Sequence, residues 1–420
     1  MNPPIHIFLK FHRLKKGISQ EEVCEGICSV SYYSKIENGQ TVPSEEILSL
    51  LMERLHVSIN IHDRSEEAKE RLNSWYKQNI INFNSTSEDS HLELKEVMSD
   101  VFDPFLHNLF ILYEFHYYLT KENYIKANEL KEELENLKDI FNEVSLYFYH
   151  KFNGIFYYSY GDFHRSTQCF ETAEVISKGG QIEHWEKADL CFHMARSYLN
   201  VYKVNKTFEY VNLALELYYE DMNYKRTAEC QFILGVCYLR SGDLEKAEAS
   251  FSLSEKAANV LGLRSLLKSI SFYRGKFYTT KGDSEKALKF LLNGYEDVSG
   301  SRYSLNTVLQ LVQELTKSNQ WDDVKKWVDK GFSLIDDPSR LQDYIHHFTT
   351  YQKLSSGDFQ EFKLYVTMKT IPFFQRYQLH EHVSNYSLLL AKELEKRRKY
   401  RDSSRYYKLS SQALSKLLHF

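Results

Sequence analysis

Between Ile5 and Leu55 the apolar residues recur three and four apart in short runs separated by turn signals, the pattern of several small helices. Ile5 to Lys15 reads as one helix, stopped by Gly17. Ser19-Gln-Glu-Glu22 is a capping-box start for a second, running to about Cys24. Ser29 opens a third, closed by Asn38-Gly39, and Pro43-Ser44-Glu-Glu46 starts a fourth with Ile47, Leu48, Leu51 and Leu55 on one face. On the third helix Tyr33 and Ile36 lie three apart and turn inward, which leaves Val30, Ser31, Ser34 and Lys35 to solvent. Residues 64–76 read as one more helix, and Asn82 to His91, NFNSTSEDSH, as a long loop.

Beyond this region the helical pattern repeats. The phrase Gly161-Asp-Phe-His-Arg-Ser166 returns as Gly242-Asp-Leu-Glu-Lys-Ala247 and Gly282-Asp-Ser-Glu-Lys-Ala287, each followed four residues on by Phe170, Phe251 or Leu291. Twelve residues before each small residue stand Gly154, Gly235 and Gly275, with Tyr157, Tyr238 and Tyr278 three further on. This is a tetratricopeptide pattern: small residues let two helices of a hairpin touch, an aromatic or leucine fills the gap, and Gly-Asp makes the turn. Extending the frame places its upstream position at Phe115, Gly154, Ala195, Gly235, Gly275, Val312, Thr350 and Ala391, a period near 40. The fold class expected is all-α: a small N-terminal domain, then about eight tetratricopeptide repeats in a right-handed superhelix. The division expected is 1–60 for the first domain, 61–76 for a linker helix and 77–420 for the array.

The first helices of such hairpins line a concave wall. Arg196, Lys276 and Gln313 occupy the same inward place in different repeats, with Asn200 a turn beyond Arg196, and Glu229, Asn306, His347 and Asn385 at neighbouring inward positions. Polar residues among aromatic floors suit an extended peptide, whose backbone takes amides and whose carboxylate takes cations. These eight are the candidate peptide contacts.

Composition narrows the chemistry. Glycine (16) and proline (6) are scarce in 420 residues, as near-continuous helix requires. No apolar run approaches the ~18 to 20 residues of a membrane span, and MNPPIHIFLK lacks a secretory leader, so a cytoplasmic protein without a membrane partner is expected. The six cysteines sit in helical, apolar surroundings and read as buried free thiols. Cys24 and Cys28 lack a second ligand pair, so no metal site is expected. HExxH, GxGxxG, Walker A and GxSxG are absent; neither catalysis nor a cofactor is indicated. Net charge is −4, which excludes a broadly basic nucleic-acid coat, but Lys10, Arg13, Lys15 and Lys16 precede every acid. The basic run Lys396 to Lys399 with Arg401 falls at a hairpin turn and reads as solvated.

The four or so residues between the second and third helices are the spacing of a helix-turn-helix, and the exposed face of the third is what a major groove would read. The order R-x-x-K-G-I-S-Q-E-E, S-K-I-E-N-G, P-S-x-E-x-L resembles the Xre/Cro-type helix-turn-helix of phage repressors over about Ile5 to Val57. That resemblance implies a pair between Arg13 and Glu37, phosphate contacts from Gln20 and Asn38, and base reading by Val30, Ser31 and Lys35. With Tyr32, these six are the candidate DNA contacts. The usual Gly-Val before the recognition helix is here Ile27-Cys28.

An Xre-type domain followed by long tetratricopeptide repeats resembles the peptide-pheromone receptors of Gram-positive bacteria, the family of Rap, NprR, PlcR and PrgX, with GICSVSYYSKIENGQTVPSEE most like NprR and PlcR. The resemblance implies a quorum-sensing transcription regulator, not an enzyme, switched by a short signalling oligopeptide and binding double-stranded operator DNA as a homodimer or higher homo-oligomer. A Rap-like protein that binds a response regulator, with little DNA-binding role, is the alternative, and a repeat scaffold without a small ligand is a third reading.

Overall fold

The structure, a computed structural model, describes residues 4–57, 65–82, 88–99, 101, 103–180, 182–339 and 341–418. All regular elements among them are helical. The chain divides into two compact units, one up to Val201 and one from Tyr202 onward.

The first unit opens with α1 (Ile5–Lys16), α2 (Gln20–Cys24), α3 (Val30–Glu37) and α4 (Glu45–Arg54). Their limits follow the local signals. Gly17 ends α1 in the left-handed conformation at φ 66°; Ser19 and Glu22 close a capping box on α2; and Ser29 and Ser44 cap α3 and α4. Phe8, Leu9, Val23, Tyr33, Ile36, Leu51 and Leu55 fill the core of this bundle. The turn between α2 and α3 takes its left-handed residue at Gly26 (φ 73°), so that Ile27 and Cys28 pack half-buried against the core.

Next come α5 (Ser65–Asn82), α6 (Glu88–Ser99), α7 (Pro104–Thr120), α8 (Tyr124–Leu137), α9 (Glu143–Ser159), α10 (Phe163–Ser177) and α11 (His184–Asn200). Helix α5 is longer than the expected 64–76 and buries Ala68, Leu72, Trp75, Tyr76 and Ile80, so it packs as part of the helical stack. Of the expected loop Asn82 to His91, residues 83–87 lie outside the described residues. The rest is helix: Asn82 closes α5 and Glu88 opens α6, because Leu94, Val97 and Met98 supply a buried face that the polar start of the segment hid.

The second unit holds α12 (Val204–Glu220), α13 (Tyr224–Ser241), α14 (Leu244–Val260), α15 (Arg264–Lys281), α16 (Ser284–Gly294), α17 (Arg302–Lys317), α18 (Trp321–Ser333), α19 (Gln342–Ser355), α20 (Phe359–Tyr365), α21 (Ile371–Arg376), α22 (His380–Lys396) and α23 (Tyr400–Leu418). A π-helical stretch, Val366–Thr370, joins α20 to α21.

Pairing of successive helices follows the repeated phrase. A Cβ on Gly154, Gly235 or Gly275 would lie 2.6 Å from Phe170, Phe251 or Leu291, so the hairpins α9–α10, α13–α14 and α15–α16 close only because those positions are glycine. Gly161, Gly242 and Gly282 turn at φ 78°, 83° and 78°, and the aspartate after each caps the next helix. The tyrosines of the phrase carry cations from the facing helix: Arg165 over Tyr157, Lys246 over Tyr238 and Lys286 over Tyr278, at 5.7, 5.5 and 5.4 Å. All six cysteines are free.

Candidate functional site

The face offered to DNA is fixed from behind by one buried carboxylate. Glu37, at the end of α3, accepts from Arg13 Nε at 2.6 Å and a second Arg13 nitrogen at 2.9 Å, a bidentate pair, and from Gln20 Nε2 at 2.7 Å. Arg13 also donates to the Ile18 carbonyl at 3.2 Å, and its pKa is raised chiefly by the bond to Glu37. Helices α1, α2 and α3 are thus held through one side chain of the reading helix. Arg54 of α4 completes the bundle, donating to the carbonyls of Glu22 and Glu25 at 2.8 and 2.9 Å.

On the opposite side of α3, Val30 is 43% exposed and Ser31 and Lys35 are exposed. Tyr32 is half-buried against the core of the bundle, and Asn38 is exposed at the C-cap, its amide 3.5 Å from Ser34 Oγ. The structure therefore brings Val30, Ser31, Lys35 and Asn38 to one open surface. Gln20, expected to grip phosphate, instead gives its amide to Glu37, whose carboxylate, already paired with Arg13, still has a lone pair for it.

The other face of α1 is docked. Phe11, buried, stacks on His107 of α7 at 5.5 Å; Phe8 meets His12 edge-on at 4.4 Å; and Lys15 lies 5.7 Å over the Phe11 ring. Burial lowers the His12 pKa to about 3, with His107, Lys15 and Lys16 adding to the effect, and burial lowers His107 to about 4. Both rings are neutral at physiological pH. The bundle is seated on α7 and α8 with its reading helix turned outward, an interface of which no motif gave notice.

The candidate peptide contacts fall into two sets. In the first unit Arg196 of α11 is half-buried, its guanidinium 4.5 Å over Tyr158 and 5.5 Å over Phe192, and Asn200 donates to the Tyr158 hydroxyl at 3.0 Å and to the Arg196 carbonyl at 2.9 Å. Tyr158, from α9, joins the two into one polar-aromatic surface. In the second unit the Lys276 ammonium lies 5.1 and 5.6 Å from the Phe272 and Tyr273 rings, Gln313 partly offsets the rise that burial gives the Tyr351 hydroxyl pKa, and Asn306 and Asn385 are exposed. Glu229 pairs with Arg226 on its own helix at 2.8 Å. His347 stands apart from this set: it is 2% exposed, bonded to the Tyr386 hydroxyl and stacked on Phe374 at 4.8 Å, because the aromatic residues of α21 and α22 close over it. The basic run is exposed, as expected, with Arg397 and Lys396 both bonded to Glu393, at 2.6 and 2.7 Å, and Arg397 stacked over Phe359 at 4.0 Å.

Sequence reasoning missed a buried charge cluster in the first unit. Lys151 of α9, wholly out of water, reaches Glu186 at 2.6 Å and Asp189 at 2.8 Å on α11 and the Tyr76 hydroxyl on α5 at 3.1 Å. Tyr76 and Tyr147 both donate to Glu186, at 3.0 and 2.7 Å. Burial alone would lower the lysine pKa; Asp189 and Glu186 outweigh it and raise it. Among the described residues no cluster of three or more His, Cys, Asp or Glu could hold a metal ion, and no helix is long and apolar enough to cross a membrane.

A helix-turn-helix bundle with its reading face open, joined to helical hairpins of tetratricopeptide type, defines a repeat-bearing transcription regulator. A family model described as Helix-turn-helix matches residues 9–61. The transcriptional activator NprA of Geobacillus stearothermophilus is 31% identical over 405 residues, 94% of this chain and 100% of that protein. The regulatory protein RapD of Bacillus subtilis (strain 168) is 25% identical over 250 residues, 58% of this chain and 68% of RapD. Two solved structures share the fold: a Rap protein complexed with competence and sporulation factor (TM-score 0.74, 18% identical, 84% of this chain and 99% of that one), and NprR in complex with its cognate peptide NprX (TM-score 0.69, 19% identical, 84% and 100%). The chain belongs to the family of the transcriptional activator NprA, and it shares the fold of the NprR and Rap structures. It is a regulator rather than an enzyme.

Proposed function

We propose that this protein is a cytoplasmic, peptide-gated transcription regulator. Residues 1–60 bind duplex operator DNA through α3, residues 61–76 carry the chain onward, and residues 77–420 bind a short signalling oligopeptide and assemble the homodimer or higher homo-oligomer. The observation that carries this reading is the two-sided use of α1: through Arg13 it locks the reading helix, and through Phe11 and His12 it is seated on α7 and α8. A change of repeat geometry on ligand binding therefore moves a DNA-reading surface without covering it. One such domain presents few cations, so two half-sites must be bound together. Gln20 turns from Glu37 to phosphate when DNA arrives, beside Asn38.

The candidate contacts for the peptide are polar side chains on the first helices of the hairpins, taken unit by unit: Arg196 and Asn200 in the first, and Glu229, Lys276, Asn306, Gln313 and Asn385 in the second. His347 supports the wall from within. Calorimetry of the full chain with the short peptides encoded immediately downstream of its gene tests this. Arg196→Ala and Asn306→Ala should each weaken binding by roughly 1 to 3 kcal/mol, the cost of leaving a peptide group without its partner. Binding undiminished in both variants would refute the groove assignment. The likeness to RapD supports a second reading, a response-regulator partner, which capture of a purified response regulator by the full chain decides.

A further inference from the structure

Glu381, in the first turn of α22, is a half-buried carboxylate that reaches back to the start of its own unit. Its Oε2 accepts a hydrogen bond from the hydroxyl of Tyr202, 179 residues earlier in the chain. The guanidinium of Arg240, on the last turn of α13, lies 4.3 Å over the same tyrosine ring. Burial alone would raise the Glu381 carboxyl; Lys276 of α15 first, then His382, the Tyr202 hydroxyl and Arg240, hold it below its ordinary value and keep it ionised. The pKa of His382 beside it is lowered as well, chiefly by burial with Lys276 adding to it, against Glu381 and Asp343, which raise it.

Tyr202 bonds this anion directly, Arg240 stacks on that tyrosine, and the charge of Lys276 acts on the same carboxylate, so three segments meet an anion that the chain supplies from a fourth. The cations sit on α13 and α15, first helices of their hairpins, and Lys276 holds an inward position of the repeat frame. A carboxylate hydrogen-bonded in such partly dry surroundings, with cations close by, is held by charge-assisted bonds. Nothing in the chemistry requires that carboxylate to be Glu381.

We propose that Tyr202, Arg240 and Lys276 form a carboxylate-binding site that Glu381 fills in the free protein, and that a carboxylate of the incoming peptide takes its place and releases α22. The second clause rests on the peptide-receptor reading above; the first does not, and the two are tested separately. The full chain is followed by amide hydrogen exchange around Tyr202 and in the first turn of α22. Glu381→Ala should raise exchange there roughly tenfold, the loss of one charge-assisted hydrogen bond. Acetate, but not chloride at equal ionic strength, should restore it by entering the vacated site, and restoration should vanish when Arg240→Gln and Lys276→Gln are added. Glu381→Gln, which keeps the shape and fills the space, should raise exchange without responding to acetate. Unchanged exchange in both Glu381 variants, equal effects of acetate and chloride, or restoration without the two cations would overturn the site. For a peptide that binds in calorimetry, amidation of its C-terminus and replacement of its acidic side chains by amides decide which carboxylate is used. If neither change weakens binding, and Glu381→Ala does not strengthen it, the site exists but the peptide does not use it.

Discussion

Lys151 carries a full charge in a place with no water, and its neighbours explain why that is tolerated. Two carboxylates and the hydroxyl of Tyr76 surround its ammonium, so helices α5, α9 and α11 meet at one charged point. Such a cluster adds little over a well-packed apolar core, but breaking it strands charge. Lys151→Met should destabilise the protein by about 3 to 5 kcal/mol, since Glu186 and Asp189 would then face each other with no cation between them. Thermal melts of the full chain measure it; a melting temperature equal to wild type would show that the two acids take up protons or water at no cost. The residue was visible in the sequence as the one cation within the aromatic run Tyr147-Phe-Tyr-His-Lys-Phe152, but a pattern cannot say whether such a lysine snorkels to water or is paired. Arg13 and Glu37 were legible because family resemblance supplied the partner that spacing alone could not. His347 misled for a related reason: the repeat frame gives the direction of a side chain, and the aromatic residues of α21 and α22 that close over it lie in a later hairpin.

At the scale of elements, the repeated phrase described its own hairpins well because each of its residues has one geometric task. Gly235 stands where a methyl group would meet the Phe251 ring at 2.6 Å. Gly235→Ala should cost about 1 to 3 kcal/mol of stability by overpacking, and Phe251→Leu should recover part of it by vacating the contact. If the alanine variant melts like wild type, the hairpin has slack that its geometry does not show. The docking of α1 on α7 was not legible, since it depends on which of two apolar faces of one short helix finds a partner elsewhere. It carries a pH signature. His12 and His107 have folded pKa values of about 3 and about 4, below the ordinary 6.5, so the unfolded chain binds more protons between those limits. Their contribution is fully present above about pH 6.5 and is lost as pH falls toward 4. The double variant His12→Gln, His107→Gln should therefore lose less melting temperature between pH 7 and pH 5 than wild type does. Equal losses would mean that the two rings do not titrate against burial.

For the whole molecule, the link that geometry supplies lies within the first unit, where α1 holds the reading helix α3 through Arg13 and sits on α7 through Phe11. The bundle limits and the hairpin frame followed from local chemistry, while the contacts that join distant parts of each unit, Phe11 to His107 and Tyr202 to Glu381, needed the fold. The central claim is that α3 reads DNA, and selection from a pool of random-sequence duplexes tests it most directly. Full-length protein should enrich a two-fold symmetric sequence. The variant Ser31→Ala, Lys35→Ala should keep its helical content but lose that preference, each missing base contact costing ~1 to 3 kcal/mol of discrimination. A wild-type protein that enriches no sequence, or a double variant that enriches the same one with equal affinity, would contradict it.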